Sequence, residues 1–189
     1  MSDEVPVIET DRFTLRGHRL DDLNDCVAMW ADPIVTRFIG GKPSTEQQTW
    51  ARLLAYVGHW RLMGFGYWAV EEKATGSFVG ELGFANFRRD ISQSMKDVPE
   101  LGWALVSRVH GRGYATEAVR GVIEWGDIHL PSERTICLIS PENVASIRVA
   151  EKCGYREIER KLYNERQIVF FARQCVGPHP SDSVSGLES

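Results

Sequence analysis

Between Leu101 and Ala118 a stretch with strand character runs through Gly111-Arg112-Gly113 directly into a helical one. A strand that feeds a helix through so short a turn leaves the helix's first backbone amides without intrahelical partners, and the aligned peptide dipoles add partial positive charge there. An anion, a phosphate above all, satisfies both. Gly111 and Gly113 allow backbone dihedrals closed to other residues and let a ligand come close. Arg108 and Arg112 can add charge-assisted contacts. The junction points to a chain of mixed α/β type with a phosphate-bearing ligand at the strand–helix turn.

The rest of the chain supplies the elements such a junction needs. Val7 to Arg16 reads as a strand with Phe13 and Leu15 on one face, and Leu20, Leu23, Val27 and Trp30 follow helical spacing. Asp32-Pro33 stops that helix, since proline lacks an amide and constrains its predecessor. Ser44 and Gln47 form a capping-box pattern ahead of a helix with Trp50, Leu53, Leu54 and Val57 on one face. Phe65 to Glu71 and Phe78 to Phe87 make a hairpin about Ala74-Thr75-Gly76. Arg88 to Asp97 is a polar, mobile loop and Val98 to Val106 another strand. After Gly113, residues Ala115, Ala118, Val119, Val122 and Ile123 mark one helix face. Arg134 to Ile139 is a short strand, and Asn143 caps a short helix that ends at Gly154. Tyr155 to Leu162 and Arg166 to Gln174 form a closing antiparallel pair. This order describes one mixed α/β domain over residues 1–175 without internal repeats, followed by a disordered tail rich in Ser, Pro and Gly over 176–189.

Charge and composition exclude several classes. The formal net charge is −4, from 22 basic and 26 acidic residues, which speaks against nucleic-acid or anionic-membrane partners, since both want a basic face. Cys26, Cys137, Cys153 and Cys175 form no CxxC pair and read as reduced core thiols. His18, His59, His110, His129 and His179 are scattered without ligand spacing, so no metal site is expected. An acidic N-terminus without an apolar leader, and no apolar run of membrane-spanning length, point to a cytoplasmic protein.

Three phosphate-binding patterns compete at the glycine turn. A P-loop needs GxxxxGK[ST], and Gly113 is followed by Tyr114. A dinucleotide fingerprint needs GxGxxG or GxGxxA, and its third position here is Thr116. Arg108-Val109-His110-Gly111-Arg112-Gly113 matches the third pattern, Q/RxxGxG/A, at every fixed position. Two further blocks accompany it: Ile8-Glu9-Thr10-Asp11-Arg12-Phe13-Thr14-Leu15-Arg16 near the start, and Asn143-Val144-Ala145-Ser146-Ile147-Arg148-Val149-Ala150-Glu151-Lys152-Cys153-Gly154-Tyr155 near the end. With these, residues 8–174 resemble the GNAT superfamily of N-acetyltransferases, in particular the ribosomal-protein N-terminal acetyltransferase (RimJ/RimL-type) branch. The turn Tyr163-Asn164-Glu165-Arg166-Gln167 lacks the aspartate-containing pattern common in that branch.

The resemblance implies a single, mostly antiparallel central sheet, splayed at an acetyl-CoA site and flanked by helices. The backbone from Arg108 through Val109, His110, Gly111, Arg112 and Gly113 into Tyr114 and Ala115 would cradle the pyrophosphate, with a hydroxyl from Thr116. The strand ending in Leu105 and Val106 would carry the pantetheine arm, with a bulge that leaves its backbone groups free. Arg134 to Ile139 would be the other splayed strand. Asn143 would add a cofactor contact to its capping role, and Ser146 would protonate the departing CoA thiolate. Glu100 resembles a strand glutamate placed as general base toward the acceptor amine, with Glu81 as second candidate and Tyr155 as an alternative acid. Trp30, Phe38 and Trp60 lie near the helices that would wall the acceptor groove. Acetyl transfer would run directly in a ternary complex from acetyl-CoA to an amine, on a peptide N-terminus or a small molecule, in a monomer or homodimer. A CoA-binding sensor or scaffold without turnover is the alternative. Only Cys137, read as buried, lies near the glycine loop for a cysteine-linked route.

Overall fold

The computed structural model describes residues 4–89 and 95–176. Part of the loop expected to be mobile (90–94) and the tail from Gly177 lie outside the described residues. The strands are β1 (Ile8–Glu9), β2 (Phe13–Arg16), β3 (Tyr67–Glu72), β4 (Ser77–Ala85), β5 (Glu100–Leu105), β6 (Arg134–Ile139), β7 (Arg156–Tyr163) and β8 (Arg166–Gln174). The helices are α1 (Leu23–Ala31), α2 (Pro33–Thr36), α3 (Glu46–Met63), α4 (Tyr114–His129) and α5 (Val144–Lys152). All eight strands join one sheet in the order β1-β2-β3-β4-β5-β6-β8-β7, antiparallel everywhere except between β5 and β6.

Side-chain alternation along the strands sorts the core onto two faces. Trp68, Val70, Leu82 and Leu101 pack with Ala118, Val119 and Val122 of α4 and with Ala150 of α5. Ala69, Phe78 and Ala104 point the other way, against Cys26, Met29 and Trp30 of α1, Val35 of α2 and Leu53 of α3. Trp60, Trp68 and Trp125 meet edge to face at centroid distances of 4.6–5.5 Å, a geometry that suits the ring quadrupoles.

Five local expectations need correction. The opening strand is a hairpin: β1 and β2 pair with Ile8 opposite Leu15, because Glu117 of α4 accepts hydrogen bonds from the Thr10 hydroxyl and the Arg12 amide and fixes the turn between them. Asp32-Pro33 ends α1 but also starts α2, with Asp32 Oδ1 accepting from the Ile34 amide and proline at the first turn. The capping box of α3 is Thr45 with Gln48, one residue later than expected. Its buried stripe is Thr49, Leu53 and Tyr56, while Trp50, Leu54 and Val57 are exposed. Finally, β5 carries no register shift against β4 over six pairs, from Gly80 opposite Leu105 to Ala85 opposite Glu100, so the expected bulge is absent there.

The junction of β2 and α1 is held by a buried ion pair. Asp22, 5% exposed, accepts from Arg16 Nη1 and Nη2 at 2.8 and 2.7 Å and from the Arg19 amide at 2.7 Å. Burial alone would raise its carboxyl. The Arg16 and Arg19 hydrogen bonds outweigh burial and hold the group below the ordinary carboxylate value.

Candidate active site

Strands β5 and β6 are paired at one register position, Glu100 opposite Ile136, with the Ile136 amide also donating to the Pro99 carbonyl. Past that point they part. A cleft of about 490 Å³ opens at the C-terminal end of β5. It is lined by Trp103, Ala104 and Leu105, by residues of α2 and the loop after it, by the α4 N-terminus and by the first turns of α5. Because Ala104 belongs to the α1–α3 face and Leu105 to the α4 face, the cleft is walled from both sides of the sheet.

The phosphate-binding turn has the geometry its glycines require. Gly111 and Gly113 sit at φ of 77° and 76°, in the left-handed region that side chains resist. Gly113 is the N-cap of α4 and brings no side-chain cap, so the first-turn amides need another acceptor. The turn is braced from behind. The His110 Nε2–H donates to the Leu105 carbonyl at 2.9 Å, Ser107 Oγ donates to Asp32 at 2.6 Å, and Arg12 Nη1 donates to the Arg112 carbonyl at 3.1 Å. Arg12 also pairs with Glu117 and lies over the Tyr114 ring, whose hydroxyl donates to Glu72.

Ten of the thirteen residues expected at the cofactor line this cleft: Leu105, Val109, His110, Gly111, Gly113, Tyr114, Ala115, Thr116, Asn143 and Ser146. Val106, Arg108 and Arg112 are not among its lining residues. Arg108 is turned back onto the sheet, where Nη2 donates to the Phe78 carbonyl at 3.1 Å. Asn143 Oδ1 accepts from the Ser146 amide at 3.1 Å and so caps α5 while facing the cleft.

The two candidate bases stand elsewhere. Glu100 lies at the last paired position before the strands part, and Arg89 clamps both its oxygens at 2.8 and 3.1 Å. That clamp takes one lone pair on each oxygen and leaves the others open to a further donor. Glu81, 1% exposed, is sealed beneath α1 and α3, where it accepts from Trp30 Nε1 and the Tyr56 hydroxyl. Tyr155 is fully buried with its hydroxyl against Thr135 Oγ1 at 2.6 Å, and burial pushes its phenol well above the ordinary value. It is packing, away from the cleft. Phe38 lines the cleft, whereas Trp30 and Trp60 are taken up by the Glu81 carboxylate and the Tyr67 carbonyl.

Sequence reasoning missed three cations. Arg37, Arg148 and Lys152 all line the cleft, from α2's C-cap and one face of α5. The i, i+4 spacing of Arg148 and Lys152 was the available signal. With the uncapped amides of α4 they make a site for a ligand carrying several phosphates, which fits coenzyme A.

Comparison with known proteins agrees. Residues 12–156 match the acetyltransferase (GNAT) domain family, and the chain belongs to that family: it is an acetyl-CoA-dependent N-acetyltransferase. It is 31% identical to YkkB of Bacillus subtilis over 156 residues, 77% of this chain and 82% of that one. It is 26% identical to the N-acetyltransferase p20 of Bacillus licheniformis over 154 residues, 81% of this chain and 84% of p20. A GnaT-family acetyltransferase structure from Bordetella pertussis superposes with a TM-score of 0.79 at 28% identity, covering 89% of this chain and 99% of that one. The same fold recurs, at 13% and 17% identity, in CoA complexes of the ribosomal L7/L12 α-N-protein acetyltransferase RimL and the aminoglycoside acetyltransferase AAC(6')-Ib, with TM-scores of 0.72 and 0.71. No described helix is long and apolar enough to cross a membrane.

Proposed function

We propose that the chain moves the acetyl group of acetyl-CoA directly to a primary amine in a ternary complex, and that it sits nearest the RimJ/RimL-type branch. The observation that carries this reading is the continuity of one cleft from the α4 N-terminus past β5 to Asn143 and Ser146. In it the amides of Gly111 to Ala115, Arg37, Arg148 and Lys152 hold the phosphates, and the open edge of β5 takes the pantetheine arm. Ser146 donates a proton to the departing thiolate. Glu100 takes the proton that the acceptor ammonium must lose before its lone pair can attack the thioester carbon. Protein N-termini and aminoglycosides, the acceptors named for the RimL and AAC(6')-Ib structures, represent the two classes to test, peptide N-termini and small-molecule amines.

Thiol release from acetyl-CoA, followed across N-terminal peptides and small amines, tests the reading: turnover with any of them supports it. The Arg89 clamp on Glu100 favours one rival, a CoA-binding sensor without turnover. Calorimetric CoA binding with no release across the panel would favour the sensor, and absence of binding would overturn both.

Replacing Gly111 by Val is expected to weaken CoA binding at least about tenfold while lowering the melting temperature by only a few degrees, about 2–4 °C per kcal/mol of strain. A Cβ at this position meets no neighbour, so the cost to the fold is backbone strain alone. A β-branched residue resists the left-handed dihedrals, at about 1–2 kcal/mol or more, and turns the amides away from the phosphates. Unaltered CoA affinity in calorimetry would remove the loop from the site.

A further inference from the structure

Sequence spacing hid one cluster that the cleft does not use. His18 stands in the loop after β2, Cys26 in α1 and Glu81 in the middle of β4. Their ligating atoms lie within 4.8 Å of one another. All three side chains are sealed: His18 is 1% and Glu81 2% exposed at the side chain, and Cys26 is 1% exposed.

The two Glu81 oxygens have different surroundings. Oε1 accepts from Trp30 Nε1 at 2.9 Å and from the Tyr56 hydroxyl at 2.6 Å. Oε2 accepts a long hydrogen bond from the Cys26 thiol at 3.8 Å and stands 3.6 Å from His18 Nε2. His18 Nε2 makes no hydrogen bond to any described residue, which is costly for a buried ring nitrogen. A charge-assisted N–H···O bond closes to about 2.7–2.9 Å, and this pair does not. Tetrahedral zinc, with bonds of about 2.3 Å to sulfur and 2.0–2.2 Å to nitrogen and oxygen, holds neighbouring ligand atoms about 3.3–3.6 Å apart. The two separations from Glu81 Oε2, 3.6 and 3.8 Å, are a few tenths of an ångström wider than that geometry.

We propose that His18, Cys26 and Glu81 form a zinc-class metal site that ties the β2–α1 loop and helix α1 to the central strand β4. A nitrogen, a sulfur and a carboxylate oxygen are the donors that suit zinc(II) and its cobalt(II) surrogate. One thiolate and one carboxylate neutralise the dication, so the ion enters the core without uncompensated charge. The Cys26 proton leaves to solvent on binding. Trp30 and Tyr56 hold Glu81 by its other oxygen and so orient the ligating one. The site lies outside the cleft, and its role is to fix α1 on the sheet.

The test uses the full chain, free of any affinity tag and purified without chelators. Elemental analysis is expected to find about one zinc per chain. After stripping, cobalt(II) titration is expected to saturate at one equivalent, with a thiolate-to-cobalt charge-transfer band and visible bands of tetrahedral intensity. Cys26→Ser should abolish the charge-transfer band, and His18→Asn should weaken cobalt binding at least about 100-fold. Cys175→Ser, at a half-buried thiol far along the chain, should leave both unchanged. Near-ultraviolet circular dichroism and CoA affinity report whether each variant is folded. A stripped wild-type chain that shows no saturable band, or a band that survives in folded Cys26→Ser, overturns the proposal.

Discussion

Glu100→Gln and Ser146→Ala are each expected to lower kcat about 10²–10⁴-fold while leaving CoA affinity in place. The first removes the group assigned to take a proton from the acceptor. The second removes the hydroxyl that meets the thiolate as it leaves. Such losses correspond to about 3–5 kcal/mol of transition-state stabilisation. The split between turnover and binding is the informative part. Glu100 stands outside the cleft lining and Ser146 faces it from the first turn of α5, so neither substitution disturbs the glycine turn. Steady-state kinetics with the best acceptor, beside calorimetry with CoA, checks both. A variant that turns over at the wild-type rate excludes its residue from the mechanism. Were Glu100→Gln neutral, the Arg89 pair would be a structural clamp, because a carboxylate held at both oxygens needs no chemistry to account for it.

Asp22→Asn is expected to cost about 3 kcal/mol of unfolding free energy at neutral pH. The change leaves Arg16, 11% exposed at its side chain, with Glu71 as its remaining carboxylate partner, and stranding a buried charge costs about 3–5 kcal/mol when no partner remains. The pH dependence has a definite sign. The Asp22 carboxyl is held below its value of about 3.9 in the unfolded chain. Its contribution is therefore fully present above about pH 4 and is lost as the pH falls through the depressed folded value. Urea unfolding at a series of pH values should show wild-type stability dropping on that acid side and a flatter curve for Asp22→Asn. Parallel curves would mean that Asp22 titrates alike in folded and unfolded chains.

Much of the fold was legible because its signals are local. Arg134 to Ile139 is a strand at its expected bounds, the β3–β4 hairpin turns where Thr75-Gly76 directs it, and α4 buries the Ala118, Val119 and Val122 stripe. What escaped was set by residues distant in sequence. The turn that splits β1 from β2 is fixed by Glu117, more than a hundred residues away. The inward face of α3 belongs to Thr49 and Tyr56, because Tyr56 reaches the buried Glu81 carboxylate, and hydropathy alone favoured Trp50 and Leu54 instead. The glycine turn announced itself through backbone geometry that only glycine supplies cheaply. The cleft's cations did not, since Arg37, Arg148 and Lys152 converge from two separate helical regions. Glu81 showed the limit most clearly: its place on a strand was readable, but the side chains that seal it come from α1, α3 and the loop after β2.

The strand order also bears on how the enzyme is made. Strand β6 holds to β5 by one register pair and to β8 by six, and β8 is the last of the described strands to be synthesised. A ribosome that has delivered everything through β7 has made the glycine turn and both α4 and α5, yet β6 still lacks its main partner. Without β8, strand β6 would keep one register pair and otherwise stand as a bare edge beside the cleft, the kind of edge that invites pairing with another chain.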